Sequence, residues 1–151
     1  MANTQAMCTS FKTELLTATH NFGTAPTRAT GASDTFYGAL YLASATLNAS
    51  TTAYSSTGEV TGTGYTPGGV VVTNSVAPTS SGTTAYWTPS ASLVYTSVTL
   101  TTAFDTVLIY NQTQGNKAVS VHTFGSQTIT AATFTLTMPA NTSTTALLRL
   151  A

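Results

Sequence analysis

Charged residues are scarce in this sequence. Only 5% of its 151 residues are Asp, Glu, Lys or Arg, whereas a typical globular domain is about 25% charged. The four basic and four acidic residues give a formal net charge of zero. They are spread along the chain: Lys12, Glu14, Arg28, Asp34, Glu59, Asp105, Lys117 and Arg149. So few basic groups cannot neutralise phosphates over a surface, which argues against nucleic acid and against anionic membranes as partners.

Cysteine and long apolar runs are also rare. Cys8 is the single cysteine, so an internal disulfide is excluded. No apolar run approaches the 18 residues expected of a membrane-spanning helix. The first residues, MANTQAMC, lack the basic and apolar regions of a signal peptide. We therefore expect synthesis in a reducing cytoplasm.

Threonine takes the place of charge. The chain contains 36 Thr and 15 Ser, yet 42% of its residues are hydrophobic and 9% are aromatic. A mucin-like or linker segment would lack that apolar content. Thr is β-branched and favours half-buried pleated surfaces. The composition predicts an all-β domain whose polar faces carry hydroxyl groups.

One segment near the N-terminus has helical spacing. Apolar residues recur at intervals of four, three and four, and they are Phe11, Leu15, Ala18 and Phe22. Ser10 is a candidate N-cap, and Gly23 and Pro26 are expected to end the segment. We predict a short helix over 10–20 and a loop over 24–34. The predicted organisation is an N-terminal segment, 1–9, and one β-sandwich domain, 10–151, that includes this helix.

After residue 34 the apolar period changes to two. Strands are predicted over 35–43, 70–74, 83–88, 93–101, 104–111, 117–124, 133–138 and 146–150. Breaks are predicted at 78–82, and a hairpin turn at 112–116. About eight closely spaced strands without intervening helices indicate an antiparallel sandwich or barrel, with jelly-roll and immunoglobulin-like orders both open. We predict an antiparallel β-sandwich.

The titratable residues form no catalytic or metal-binding motif. Cys8 lies in a polar segment without a local partner, and the four carboxylates are never paired in sequence. His20 is expected to cap the predicted helix. His122 falls on the strand face opposite Val119 and Val121. This pattern predicts a protein that is not an enzyme, with no catalytic residues, no metal and no cofactor.

Four residues are candidates for contact with a protein partner. Tyr86 and Trp87 are adjacent on one predicted strand, so they point to opposite faces. Either Trp87 fills the core with Tyr86 at its margin, or an exposed ring contacts a sugar or a protein. Met7 and Phe11 are N-terminal candidates, although Phe11 would equally pack a helix onto the sandwich. Near-zero charge promotes association and leaves sheet edges unguarded, so self-association is expected.

Four stretches of the chain resemble a family of small virion proteins of tailed bacteriophages. They are residues 9–22 (TSFKTELLTATHNF), 35–41 with 51–69 (TFYGALY and TTAYSSTGEVTGTGYTPGG), 107–125 (VLIYNQTQGNKAVSVHTFG) and 134–151 (FTLTMPANTSTTALLRLA). Each stretch alone is ordinary strand-and-turn sequence, whereas their order covers nearly the whole chain. The family supplies no catalytic residues to transfer.

The resemblance implies a capsid cement or decoration protein, and it favours a jelly-roll-like order for the predicted antiparallel β-sandwich. Such a protein would bind the major capsid protein on the outside of the phage head, associate with itself as a dimer or trimer, and stabilise the shell. The alternative is a carbohydrate- or receptor-binding sandwich associated with a tail or fibre. The expected location is the exterior of the virion.

Overall fold

The computed structural model describes residues 2–16, 18–23 and 33–151 of the chain. One helix and eight strands lie in these residues. They are β1 (Ala6–Met7), α1 (Thr9–Leu16), β2 (Phe36–Leu42), β3 (Val70–Val71), β4 (Thr79–Ser81), β5 (Thr84–Trp87), β6 (Leu93–Asn111), β7 (Lys117–Leu136) and β8 (Leu148–Leu150). The fold is all-β, as the sequence predicts. No described helix has the length and apolar character needed to span a membrane.

The strands form two antiparallel sheets. The larger has the order β1-β7-β6-β2-β3 and the smaller has the order β4-β5-β8. This arrangement agrees with the predicted antiparallel β-sandwich. The five-plus-three order does not by itself identify a jelly roll, which stays a prediction.

Helix α1 is shorter than predicted and is capped differently. Ser10 lies inside the helix, and its buried hydroxyl has no hydrogen-bond partner, so the N-cap prediction was wrong. The helix ends before Gly23, through a Schellman motif. Ala18 has a φ of 51° and donates to Leu15, and the Thr19 N–H donates to the carbonyl oxygen of Glu14 over 2.9 Å. Most of the predicted loop 24–34 lies outside the described residues.

Residues 2–9, the described part of the predicted N-terminal segment 1–9, are hydrogen-bonded to the sandwich. Ala6 and Met7 pair with Val121 and Ser120 of β7. The Asn3 amide donates to the Leu42 carbonyl oxygen over 3.1 Å and to Asp105 over 2.9 Å. These hydrogen bonds hold Met7 at the edge of the larger sheet, next to β7.

The β6–β7 hairpin is much longer than the predicted strands. Segments 93–101 and 104–111 form one 19-residue strand. Segment 117–124 is joined to the first four residues of 133–138 in one 20-residue strand, which ends at Leu136. The predicted turn at 112–116 connects them. Between Leu100 and Phe104 the pairing skips three exposed residues, which form a bulge. A bulge interrupts apolar alternation without ending the strand, which explains the two predicted pieces.

The hairpin folds back on itself to supply both layers of the core. Ile109 pairs with Gly38, and a Cβ on Gly38 would lie 2.5 Å from Leu93. Sixteen residues of straight strand would separate Leu93 and Ile109 by roughly 50 Å. The Tyr95 hydroxyl donates to the Gly38 carbonyl oxygen over 2.8 Å. The half of the hairpin that is farther from the turn therefore lies over β2.

The smaller sheet contributes Trp87 to the core. Its indole N–H donates to the carbonyl oxygen of Val76 over 2.8 Å, and only 2% of the residue is exposed. Strand β4 occupies part of the segment predicted as a break, because a two-residue connection containing Gly82 (φ 58°) pairs Ser81 with Thr84. The smaller sheet thus closes one end of the sandwich beside β1 and α1.

Candidate functional site: an apolar groove

The four residues predicted as a protein interface line a single groove. Met7 comes from β1, Phe11 from α1, and Tyr86 and Trp87 from β5. The groove has a volume of about 90 Å³. Its other lining residues are Leu15, Phe22, Pro78, Ala85, Leu148 and Leu150. The fold therefore joins residues that are about 80 positions apart in the chain.

Buried aromatic rings form the floor of the groove. Phe11 and Trp87 are each 2% exposed. The Phe22 ring lies 4.7 Å from Trp87 and 6.0 Å from Phe11, measured between ring centroids. Rings packed in this way hold their rotamers, so the floor is formed before any partner arrives.

Partly exposed residues form the rim. Met7 and Tyr86 are partly buried, and Leu150 is 43% exposed. Trp87 thus belongs to the core and Tyr86 to its margin, as the first alternative from the sequence has it. Any direct contact with a partner would come from Tyr86, Met7 and Leu150, with Trp87 and Phe11 beneath them.

None of the described lining residues of the groove is charged. A charged partner group placed there would lose water without gaining an opposite charge. The groove is suited to an apolar or aromatic side chain of a partner, because such a group is favourably removed from water.

A wider polar cleft adjoins the groove. It has a volume of about 680 Å³ and shares Met7 and Leu148 with the groove. Its polar lining is formed by Gln5, Thr84, Ser120, His122, Ser143, Thr145 and Arg149. The cleft lies between the outer strands β1 and β8 of the two sheets.

Ser120 and His122 form a hydrogen-bonded pair in this cleft. His122 Nε2 lies 2.8 Å from Ser120 Oγ. Burial lowers the pKa of His122 to about 4, so the imidazole is a weak base near neutral pH. No Asp or Glu is among the described lining residues, and Ser120 is only 1% exposed. The pair therefore lacks the oriented base and the accessible hydroxyl that nucleophilic catalysis needs.

His20 joins a buried polar cluster and does not cap the helix carbonyls as predicted. Its Nε2 lies 2.7 Å from Glu14 Oε2, and its Nδ1 lies 3.0 Å from Asn111 Nδ2. Lys117 Nζ donates to Glu14 Oε1 over 2.6 Å. Burial lowers the pKa of His20, against the opposing effect of Glu14. The cluster joins α1 to the turn of the β6–β7 hairpin.

Cys8 is suited to packing and not to reaction. It is fully buried, and its N–H donates to the Val119 carbonyl oxygen over 3.0 Å. Burial, together with the charge of Glu14, raises the pKa of the Cys8 thiol to about 11. The thiol is thus protonated at neutral pH and is a poor nucleophile.

A second buried cluster surrounds Glu59, a residue that no sequence motif marks as functional. The carboxylate accepts hydrogen bonds from Tyr54 OH over 2.6 Å, Tyr65 OH over 2.7 Å and the Gly68 N–H over 2.7 Å. Burial, and next the adjacent carboxylate, raises the pKa of both tyrosines. In the sequence, this cluster is marked by one carboxylate that lies between two tyrosines in a glycine-rich segment. Its geometry indicates a structural role, because all three bonds hold the connection from β2 to β3.

Among the described residues, no three His, Cys, Asp or Glu side chains are grouped so that they could hold a metal ion. Comparison with known proteins finds no match to a protein-family model, a curated protein or a solved structure. The fold and the site therefore define an antiparallel all-β domain with a preformed, uncharged groove.

Proposed function

We propose that this protein is a non-enzymatic structural protein that binds a larger protein assembly through the apolar groove. The observation that carries the proposal is the convergence of Met7, Phe11, Tyr86 and Trp87 on one uncharged surface. Aromatic side chains over a packed floor resemble the anchor regions of protein interfaces, where a few residues provide most of the binding free energy.

We infer further that the assembly is the head of a tailed bacteriophage. This step depends on the resemblance of the four stretches to small virion proteins. A cement protein binds many equivalent sites on a shell, so each site needs only a modest free energy. A small groove without ionic contacts meets that requirement, and the outer surface of the major capsid protein is the proposed partner.

A charge on the rim of the groove tests the proposal. Leu150→Glu places a carboxylate at the groove, and Val71→Glu is the matched control, because Val71 is 55% exposed on β3 and does not line the groove. We expect Leu150→Glu to weaken binding to emptied capsids at least about tenfold, or about 1.4 kcal/mol. Val71→Glu should bind like the unaltered protein. Co-sedimentation with capsids measures both, and circular dichroism checks that each variant is folded.

The same assay at increasing salt tests the character of the contact. Because no described groove residue is charged, binding should change little as salt screens electrostatic attraction. Release of the protein at moderate salt, or equal binding by Leu150→Glu and Val71→Glu, would contradict the proposal.

The alternative role in a tail or fibre has one supporting observation. Tyr86 is a partly exposed residue of the apolar groove, and this groove shares Met7 and Leu148 with the polar cleft. Sugars are bound by such combinations of aromatic ring and hydrogen-bonding groups. Glycan-array binding that is lost in Tyr86→Ala would favour this role. Cryo-microscopy of the virion separates the two, since density confined to the tail would reject the capsid role.

A further inference from the structure

The outer edge of β7 is open over residues 125–135. On this side β1 pairs only with Ser120 and Val121. No other described strand pairs with β7 except β6 on the opposite side. Nine of the eleven residues are exposed, and the remaining two, Ile129 and Phe134, are partly buried. Backbone donors and acceptors along this edge are therefore available to another chain.

The other described sheet edges offer much less. The outer strands β1, β3, β4 and β8 contain only two or three residues each. The outer side of β6 is partly covered, because Thr99 forms a bridge with Thr63 and donates its N–H to the Thr63 carbonyl oxygen over 2.8 Å. Short strands and covered edges resist pairing with other molecules. Within the described residues, the edge of β7 differs from these edges because it is both long and uncovered.

The edge of β7 also lacks the usual blocking residues. From residue 118 to the end of β7 there is no Lys, Arg, Asp, Glu or Pro. Natural proteins commonly place such residues on exposed edges to prevent pairing. The strand bends at Ala131, where φ is 47°, so the run of β7 that precedes the bend is 127–130. On its other side this run faces the bulge of β6 between Leu100 and Phe104.

Backbone directions in this run can be assigned from one hydrogen bond. The Ala131 N–H donates to Thr99 Oγ1 over 3.0 Å and so points toward β6. Successive N–H groups of an extended strand alternate in direction. The N–H groups of Thr130 and Thr128 therefore point to the open side.

We propose that β7 pairs antiparallel with β7 of a second copy of this chain, through the run 127–130. An antiparallel pair of identical strands has twofold symmetry, so each copy presents the same donors and acceptors to the other. The edge is neutral, so two copies approach without charge repulsion and a charged partner gains nothing. Thr128 and Thr130 would also provide cross-strand threonine contacts, which favour antiparallel pairing.

The pairing is independent of what the groove binds. The described groove residues come from β1, α1, β5, β8 and adjoining segments, and none lies on β7. Because the run 127–130 is short, the dimer should be in equilibrium with the monomer. Its fraction should increase with protein concentration, as mass action requires.

Sedimentation velocity over a range of concentrations tests the proposal. The mass of the unaltered protein should rise from 15.5 kDa toward twice that value. Thr128→Pro removes one outward N–H and should abolish the dimer while the far-ultraviolet circular dichroism is retained. Thr128→Lys places like charges near the twofold axis and should have the same effect, which keeps the test valid if the proline variant misfolds.

Two controls identify the surface. Thr79→Lys adds the same charge to β4, a short exposed strand, and should leave the dimer unchanged. Leu150→Glu should leave it unchanged as well, so loss of capsid binding and loss of self-association can be distinguished. The proposal is overturned if the unaltered protein is a monomer at every concentration, or if Thr128→Pro and Thr128→Lys dimerise as the unaltered protein does.

Discussion

Replacing Glu59 would remove the acceptor for two tyrosine hydroxyls and one backbone N–H. Glu59 is 6% exposed, so water can replace few of these bonds. Leaving buried donors unsatisfied costs about 1–3 kcal/mol for each group, and solvent access at Tyr54 reduces the sum. We therefore expect Glu59→Ala to lower the free energy of unfolding by about 3 kcal/mol or more.

Two milder changes serve as controls for Glu59→Ala. Glu59→Gln keeps one acceptor oxygen and should lie between the alanine variant and the unaltered protein. Tyr54→Phe removes one hydrogen bond and should cost about 1 kcal/mol. Urea unfolding at neutral pH measures all three. A Glu59→Ala variant that is no less stable than Tyr54→Phe would show that the carboxylate does not hold the β2–β3 connection.

At the residue scale, sequence patterns identify candidates but do not show which candidates meet. Tyr86 and Trp87 could be singled out because two large rings are adjacent on one strand. Their meeting with Met7 and Phe11 depends on how β5 is placed against β1 and α1, and strand periodicity contains no information on that placement. Glu59 was missed for the same reason, since its three donors converge only after the segment has folded.

At the scale of elements, Gly69 controls how closely the chain approaches β2. Its φ is 81°, and a Cβ there would collide with the carbonyl oxygen of Gly38. Gly69→Ala should therefore destabilise the fold by about 2–4 kcal/mol, through backbone strain and displacement of β3 from β2.

Gly115 provides the matched control for this prediction. It has a similar φ of 70° in the β6–β7 turn, but a Cβ added there would have no atom within 4 Å. Gly115→Ala should lower the free energy of unfolding by about 1 kcal/mol, because an alanine at positive φ strains the backbone but meets no neighbouring atom there. Chemical denaturation of both variants isolates the steric contribution. Equal losses of stability would mean that the contact with Gly38 is unimportant.

Strand positions were more predictable than strand ends. The alternation of Phe36, Leu40 and their neighbours correctly predicts β2, and the Gly115 segment correctly predicts the hairpin turn. One predicted strand ends at Thr101 and the next begins at Phe104, because a bulge and a loop have the same sequence signature of small residues. Local sequence does not report that pairing resumes at Phe104.

At the scale of the whole molecule, the folded-back hairpin explains how the protein can be stable with so few charged residues. Both layers come largely from one pair of strands, so contacts such as Tyr95 with Gly38 close the core without ionic pairing. Threonine occupies the outward positions where other proteins place charged groups. Stability at neutral pH thus depends on burial and on neutral hydrogen bonds, and acid acts on it mainly through a few buried titratable groups.

The two histidines determine the sign of the pH dependence. Burial lowers the pKa of His122 from 6.5 to about 4, and burial also lowers the pKa of His20. At a pH between 6.5 and the lowered pKa of each histidine, the unfolded chain binds a proton at that histidine and the folded protein does not. The free energy of unfolding therefore decreases as the pH falls below about 6.5. Burial raises the pKa of Glu14, but its bonds with Lys117 and His20 outweigh that effect and the pKa is lowered. Its stabilising contribution is present above pH 4.5 and is lost at more acidic pH.

We expect the free energy of unfolding to fall steadily from pH 7 to pH 4, with His122 contributing about 1–3 kcal/mol of the change. His122→Gln removes the titrating group while its side-chain amide can still bond Ser120, so the variant should have a shallower pH dependence. Part of the slope should persist, because His20 is unaltered. Urea unfolding at intervals between pH 7 and pH 4 measures both proteins. If the free energy of unfolding of His122→Gln follows the same pH dependence as that of the unaltered protein, His122 is already open to water in the folded state. If the free energy of unfolding of the unaltered protein does not change with pH, both histidines are open to water.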